Sequence, residues 1–278
     1  MEQFSRGQLV FDVRDSGPED GPVVVLLHGH PQTNSAWDGV IPLLTARGYR
    51  CLAPNQRGIS PGARPPRRRD YRVSELVDDV GALIDASGAH RVHLVGHDWG
   101  ALVAWAFAAS HPDRLITLTA LSGPHPRALR RALLTGQQGM ASWYVYFYQL
   151  PRIPERVYLG RDGKGARLSA MMQAGGQRLE FADRDARALA EPGAYTAALN
   201  WYRAMPWSGR VGPVSVPTLY VWGDNDPYIL DRAAHTCGNH VTGFYRFEIL
   251  RRAGHWLPDE HPDTVADLLL EFFATRRA

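Results

Sequence analysis

Three residues have the types and order of a hydrolytic catalytic set. Asp98 sits in Gly96-His97-Asp98-Trp99-Gly100, Asp226 in Trp222-Gly223-Asp224-Asn225-Asp226-Pro227, and His255 in Gly254-His255-Trp256. The order is nucleophile, acid, base. A carboxylate nucleophile is suited to displacement at saturated carbon, and it leaves an ester on the enzyme. An Asp with pKa near 3.9 is ionised at neutral pH, and a His near 6.5 is neutral often enough to act as a base. On residue type alone Asp224 competes with Asp226 for the acid. Each residue also has a bland reading: a helix cap, a turn former, or a structural hydrogen bond. Their joint order and context argue for chemistry.

The flanking patterns say what must position them. Val92-His93-Leu94-Val95 reads as a buried strand ending at the Gly-x-Asp-x-Gly turn, and Ala101 to Ala109 reads as a helix leaving it. Gly96 and Gly100 allow a sharp bend and close packing there. Val23 to Leu27 and Tyr49 to Ala53 read as strands, as do Ile116 to Leu121, Thr218 to Trp222 and Tyr245 to Leu250. A helix is expected from Val73 to Ala86, capped by Ser74 or a neighbour and stopped by Gly88, and a last helix from about Pro262 to Thr275. Strands alternating with helices imply a mostly parallel sheet. All three candidates then lie just past strand ends, where active sites of open α/β sheets form. His28-Gly29-His30-Pro31 follows the first clear strand. Its His30 amide, with the Trp99 amide, is a candidate oxyanion hole. A cis bond before Pro31 suits such a turn. The His28 and His30 rings have no third ligand at metal-like spacing, so no metal is expected.

These motifs, with Leu121-Ser122-Gly123-Pro124-His125-Pro126, make the chain similar to the soluble, cap-bearing epoxide hydrolases of the α/β-hydrolase superfamily. The resemblance spans nearly the whole chain. It implies an α/β-hydrolase core over residues 1–123 and 213–278, interrupted by a helical cap over 124–212. It selects Asp226 as the acid, because the family pattern Trp-Gly-x-x-Asp ends there. It also implies two cap tyrosines that hold the epoxide oxygen. Leu199-Asn200-Trp201-Tyr202-Arg203 resembles the segment carrying one of them, so Tyr202 is the candidate. For the other, the Gln149 and Pro151 anchors point to Tyr144, with Tyr146 as the alternative and Tyr148 behind both. Trp143, Phe147 and Trp201 are expected to line the substrate pocket.

The resemblance therefore implies an epoxide hydrolase that forms a vicinal diol through an ester on Asp98, acting on a small apolar epoxide and water without cofactor. The rival reading is a haloalkane or haloacid dehalogenase with the same nucleophile. His30 stands where haloalkane dehalogenases carry Asn, and Trp99 where fluoroacetate dehalogenases carry Arg, so both departures favour epoxides. A non-catalytic binding protein of this fold has no need of the full set of residues.

Composition limits the remaining classes. The 278 residues are 45% hydrophobic and 21% charged, ordinary for one globular enzyme. The net charge is +3, nearly all from arginine, since Lys164 is the only lysine. The densest basic run, Arg64 to Arg69, reads as a solvated Pro-rich loop, and no nucleic-acid signature accompanies it. No apolar run reaches the roughly 18–20 residues of a membrane span. The first residues lack a signal-peptide core, and Cys51 and Cys237 are too few for a disulfide framework, so a cytoplasmic location is expected. The sequence leaves a homodimer open.

Overall fold

A computed structural model describes residues 1–276. Eight strands form one sheet in the order β1-β2-β4-β3-β5-β6-β7-β8. They are β1 (Gln3–Arg6), β2 (Leu9–Ser16), β3 (Val23–Leu27), β4 (Arg50–Pro54), β5 (Val92–His97), β6 (Leu115–Leu121), β7 (Thr218–Gly223) and β8 (Tyr245–Leu250). From β4 to β8 all neighbours are parallel, while β2 runs antiparallel to both β1 and β4.

The central strands are buried on both faces, and β3 shows why its sequence is uninterrupted Val and Leu. Val23, Val25 and Leu27 enter the core on one face; Val24 and Leu26 enter the core on the other. Side chains alternate across a strand, so a strand covered on both sides must be apolar at every position. The first face is covered by α2 (Val73–Ser87) and α3 (Trp99–Ser110). The second is covered by α1 (Ile41–Thr45) and α13 (Pro262–Ala274). Buried Val73, Leu76, Val77, Val80, Leu83 and Ile84 give α2 one apolar stripe at helical spacing.

Two local expectations need correction. Helix α2 starts from Arg72 without a side-chain cap; Ser74 lies inside the helix, and its Oγ accepts from Arg72 Nε at 3.0 Å. Gly88 does end it, at φ 77°. The β1–β2 hairpin was not read from the sequence. Its strands are short or half-exposed, and stacked Phe4 and Phe11 (ring centroids 4.7 Å) supply its main apolar contact.

Between β6 and β7 the chain leaves the sheet. It forms α4 (Pro126–Thr135), α5 (Gln138–Ala141), α6 (Trp143–Phe147), α7 (Ile153–Leu159), α8 (Ala166–Ala174), α9 (Leu179–Leu189) and α10 (Ala194–Arg203). After β7 come α11 (Asp231–His235) and, after β8, α12 (Leu257–Glu260). The inserted helices are tied down by polar contacts to the core. Trp201 Nε1 of α10 donates to the Arg57 carbonyl at 2.7 Å, and the Arg57 side chain grips Asp79 of α2 through two 2.7 Å bonds. Arg64 of the basic run donates to the Gly58 and Ile59 carbonyls and to the Pro192 carbonyl of the insertion.

Glycines differ sharply in what they tolerate. A Cβ on Gly100 would lie 2.3 Å from the Leu27 carbonyl oxygen, whereas a Cβ on Gly81 would meet only Phe107 Cε2, at 3.9 Å. Gly100→Ala should therefore cost at least roughly 1–3 kcal/mol, as forced overpacking does. Gly81→Ala, mid-helix in α2, should stabilise by about 0.5–1 kcal/mol. Thermal melts of the two variants should move in opposite directions; equal shifts would contradict the packing at the β5–α3 turn.

Candidate active site

Asp98 is placed by the turn that β5 must make to reach α3. Its backbone is at φ 51°, ψ −115°, a conformation costly for a non-glycine residue. The turn closes because Gly96 and Gly100 lack side chains: a Cβ on Gly96 would lie 2.3 Å from the Gly100 carbonyl oxygen. The Asp98 amide donates to the Leu121 carbonyl at 3.0 Å. The His30 amide donates to Asp98 Oδ1 at 2.8 Å, and the His30–Pro31 bond is cis. Trp99 opens α3 directly after Asp98.

Asp226 lies just beyond β7, and both of its carboxylate oxygens are engaged. Oδ1 takes the amides of Tyr228 (2.8 Å) and Ile229 (3.0 Å); Oδ2 takes His255 Nδ1 at 2.8 Å. Its rival Asp224 turns away, accepting the Arg252 amide at 2.6 Å and pairing with Arg251 at 3.3 Å. Asp224 is thus engaged within its own loop and does not contact His255 in this arrangement. The other ring nitrogen of His255, Nε2, is 3.5 Å from Asp98 Oδ2.

This geometry corrects the simple view of His255 as a histidine near 6.5. Burial alone would lower its pKa, but the Asp226 and Asp98 carboxylates outweigh burial and push it up to about 10. Burial disfavours the Asp98 charge, yet the hydrogen bond and charge of His255 and the His30 amide hold its pKa below the usual value. With Asp98 ionised, the ring is therefore an imidazolium between two carboxylates at neutral pH. It becomes a neutral base only when one of those charges is removed.

Above Asp98 lies a cavity of about 450 Å³, whose walls include His30, Tyr144, Tyr148, Tyr202, Tyr228 and Trp256. A smaller one, about 100 Å³, shares Asp98, Tyr144 and Tyr202 with it. Tyr144 and Tyr202 thus stand where the two cavities meet at the carboxylate, their rings 6.1 Å apart and edge to face. Burial raises both phenols well above 10, and the Asp98 charge adds to this, so they keep their protons. Tyr146, the alternative, is 70% exposed and reaches only the smaller cavity.

Two pocket expectations fail. Trp201 is fully buried against the core through its bond to Arg57, and it lines neither cavity. Phe147 packs on Trp143, Tyr148 and Tyr158 instead of facing the site. Trp143 does line the larger cavity, at its exposed side. Tyr228 and Trp256 were missed. Tyr228 packs edge-on at 4.8 Å from the His255 ring; its place next to the acid motif was the available signal. The His28 ring is occupied structurally: Nδ1 donates to the Gly29 carbonyl and Nε2 accepts the Gln56 amide. Among the described residues no group of three His, Cys, Asp or Glu could hold a metal ion, and no helix is long and apolar enough to cross a membrane.

Residues 22–262 match the family model described as alpha/beta hydrolase fold. The chain is 33% identical to the AB hydrolase superfamily protein YfhM of Bacillus subtilis, over 95% of this chain and 94% of that protein. It is 32% identical to epoxide hydrolase A of Mycobacterium tuberculosis, over 94% and 92% respectively. The crystal structure of epoxide hydrolase A from Mycobacterium thermoresistibile superposes with a TM-score of 0.82 at 26% identity, covering 98% of each chain.

The electrostatics of His255 can be tested directly. The raised pKa means that this ring's contribution to stability is fully present below about 6.5 and is lost as pH rises through about 10. Asp98→Asn removes one of the two charges facing the ring. NMR titration of the histidines should show the His255 midpoint moving clearly downward in that variant. An unmoved midpoint would mean that Asp98 does not hold the imidazolium.

Proposed function

The chain belongs to the epoxide hydrolase family of the α/β-hydrolase superfamily, and from that premise we propose that it opens a small apolar epoxide to a vicinal diol through a covalent ester on Asp98. The observation that supports this reading is that an ionised, half-buried Asp98 and the phenols of Tyr144 and Tyr202 line the same two cavities. A phenol kept neutral by burial can hydrogen-bond the epoxide oxygen and stabilise the alkoxide as the ring opens.

The two oxygens of Asp98 have different tasks. Oδ1 is held by the His30 amide and becomes the ester carbonyl oxygen. Oδ2, 3.5 Å from His255 Nε2, is the attacking atom. Its lone pair forms the bond to the epoxide carbon as the carbon–oxygen bond of the ring breaks, and Tyr144 and Tyr202 hold the oxygen released. That alkoxide takes a proton from the phenol pair, which is resupplied by the His255 imidazolium. His255 is then neutral, oriented by Asp226, and accepts a proton from water as the water oxygen adds to the Asp98 carbonyl carbon. The His30 and Trp99 amides take the resulting oxyanion. Collapse expels the diol oxygen, protonated through His255, and the proton left on Asp98 returns the ring to its charged resting form. Water and epoxide are consumed, and no cofactor is needed.

Two measurements test this scheme. A single turnover in heavy-oxygen water should place the label in Asp98 and leave the diol unlabelled; label found directly in the diol would sink the ester intermediate. Tyr144→Phe and Tyr202→Phe should each lower kcat by about 10²–10³-fold, the usual cost of removing one donor to a developing oxyanion. If both variants keep wild-type diol formation, or if halide is released from organohalides while epoxides stay intact, the epoxide reading fails.

A further inference from the structure

Behind the catalytic histidine lies a buried polar cluster that takes no part in the proposed reaction. His97, completely buried, has two ring nitrogens and two carbonyl acceptors: Nδ1 faces Gln32 Oε1 at 2.9 Å and Nε2 faces the His255 carbonyl at 2.9 Å. A neutral imidazole has only one N–H to give. The ring is short of one proton.

The other end of the same chain has the matching imbalance. Gln32 Nε2 lies 2.8 Å from Asp259 Oδ2. Asp259 of α12 and Asp185 of α9 are both buried, and Arg184 bonds to both, at 3.0 Å each. Gln177 Nε2 also bridges the pair, 3.0 Å from each carboxyl. Two carboxylates share one guanidinium, so the site holds one negative charge too many. The nearby Arg178 does not cancel it, because its guanidinium is paired with Glu260 at 2.8 Å and is largely exposed. Asp38 adds further negative charge toward Asp185.

One proton settles both imbalances. We propose that Asp259 works as a protonated carboxyl, donating into a hydrogen-bond chain through Gln32 and His97 that holds the His255 carbonyl and ties that histidine to α9. The two ends of a carboxamide have the same shape, so Gln32 can accept from Asp259 with Oε1 and donate to His97 Nδ1 with Nε2. His97 then donates its single N–H, on Nε2, to the His255 carbonyl. Each link from Asp259 through Gln32 and His97 to the His255 carbonyl then pairs one donor with one acceptor, without a second charge.

The alternative places the proton on His97 and leaves Asp259 ionised. It sets an imidazolium beside the His255 imidazolium, with ring centroids 5.1 Å apart. Burial and that neighbour drive the His97 pKa down to about 3, while burial and Asp185 drive Asp259 up to about 7. The neutral pair is the favoured form. Asp259 is thus a positioning residue: it touches no reacting atom, but it fixes the backbone that carries the base. Its role in catalysis rests on the proposed reading of His255, whereas the place of the proton does not.

The test has arms that separate the two. In protein labelled with ¹⁵N-histidine, the His97 resonance, identified by the shift that Asp259→Asn imposes, should show a neutral ring protonated on Nε2 alone at about pH 5, above the His97 and below the Asp259 titration. An imidazolium there would overturn the proposal whatever the reaction. Asp259→Asn, a neutral isostere, should retain most of kcat, while Asp259→Ala should lose roughly tenfold in kcat at unchanged KM, the effect of one unmet buried hydrogen bond. A raised carboxyl pKa stabilises the fold below about pH 4 and loses that contribution as pH rises through about 7. The Tm of Asp259→Asn should accordingly gain on wild type between pH 5 and pH 8. Loss of activity in Asp259→Asn equal to that in Asp259→Ala, or a Tm difference independent of pH, would show that the carboxylate is the working form.

Discussion

The imidazole of His255, held between Asp226 and Asp98, is the interaction on which the site depends. Burying one imidazolium and two carboxylates is expensive unless each is met by opposite charge or by donors. Here each is met. Asp226 takes two amides and one ring N–H. Asp98 takes the His30 amide and faces the other ring nitrogen. These partners come from the carboxyl ends of β3, β5, β7 and β8, so the sheet order itself sets the charge balance. A slip of one residue in any of these strands would send its side chains to the opposite face and strand a buried charge.

That dependence explains what could be read from the chain. Asp98, Asp226 and His255 each sit in a short motif next to a strand end, and the strands are apolar enough to be recognised. Local pattern and three-dimensional position therefore coincide. Asp224 could be set aside only through the family pattern; in the fold its carboxylate is engaged by Arg251 and the Arg252 amide. The β1–β2 hairpin escaped because half-exposed strands lack the apolar run that marked the others.

The inserted helices were harder to read, for a physical reason. A helix rich in aromatics presents several faces, and composition does not say which one meets the sheet. Tyr144 and Tyr146 differ by two positions, which places them on different sides of α6, one over Asp98 and one in solvent. Trp201 looked like a pocket residue because it neighbours Tyr202. Its indole instead bonds the Arg57 carbonyl and anchors α10, and that anchoring is what brings Tyr202 to the cavity. The cluster of Arg184, Asp185 and Asp259 left no mark in the sequence at all, since its members come from α9 and α12, more than seventy residues apart.

The carboxylate alone does not choose between leaving groups, since displacement of halide and opening of an epoxide begin with the same attack. They differ once the bond has broken. A halide departs as a stable anion, whereas an opened epoxide leaves an alkoxide attached to the enzyme that must gain a proton at once. Asp98 supplies the timing. Its negative charge helps to hold the protons on Tyr144, Tyr202 and His255. In the proposed reaction that charge disappears when Oδ2 becomes part of an ester, and all three groups would become more acidic together. Under that proposal the proton would be released as the alkoxide forms, leaving His255 neutral for the incoming water. A site built for halide would have no use for this coupling. The phenols are informative because their acidity is tied to the state of the nucleophile beneath them.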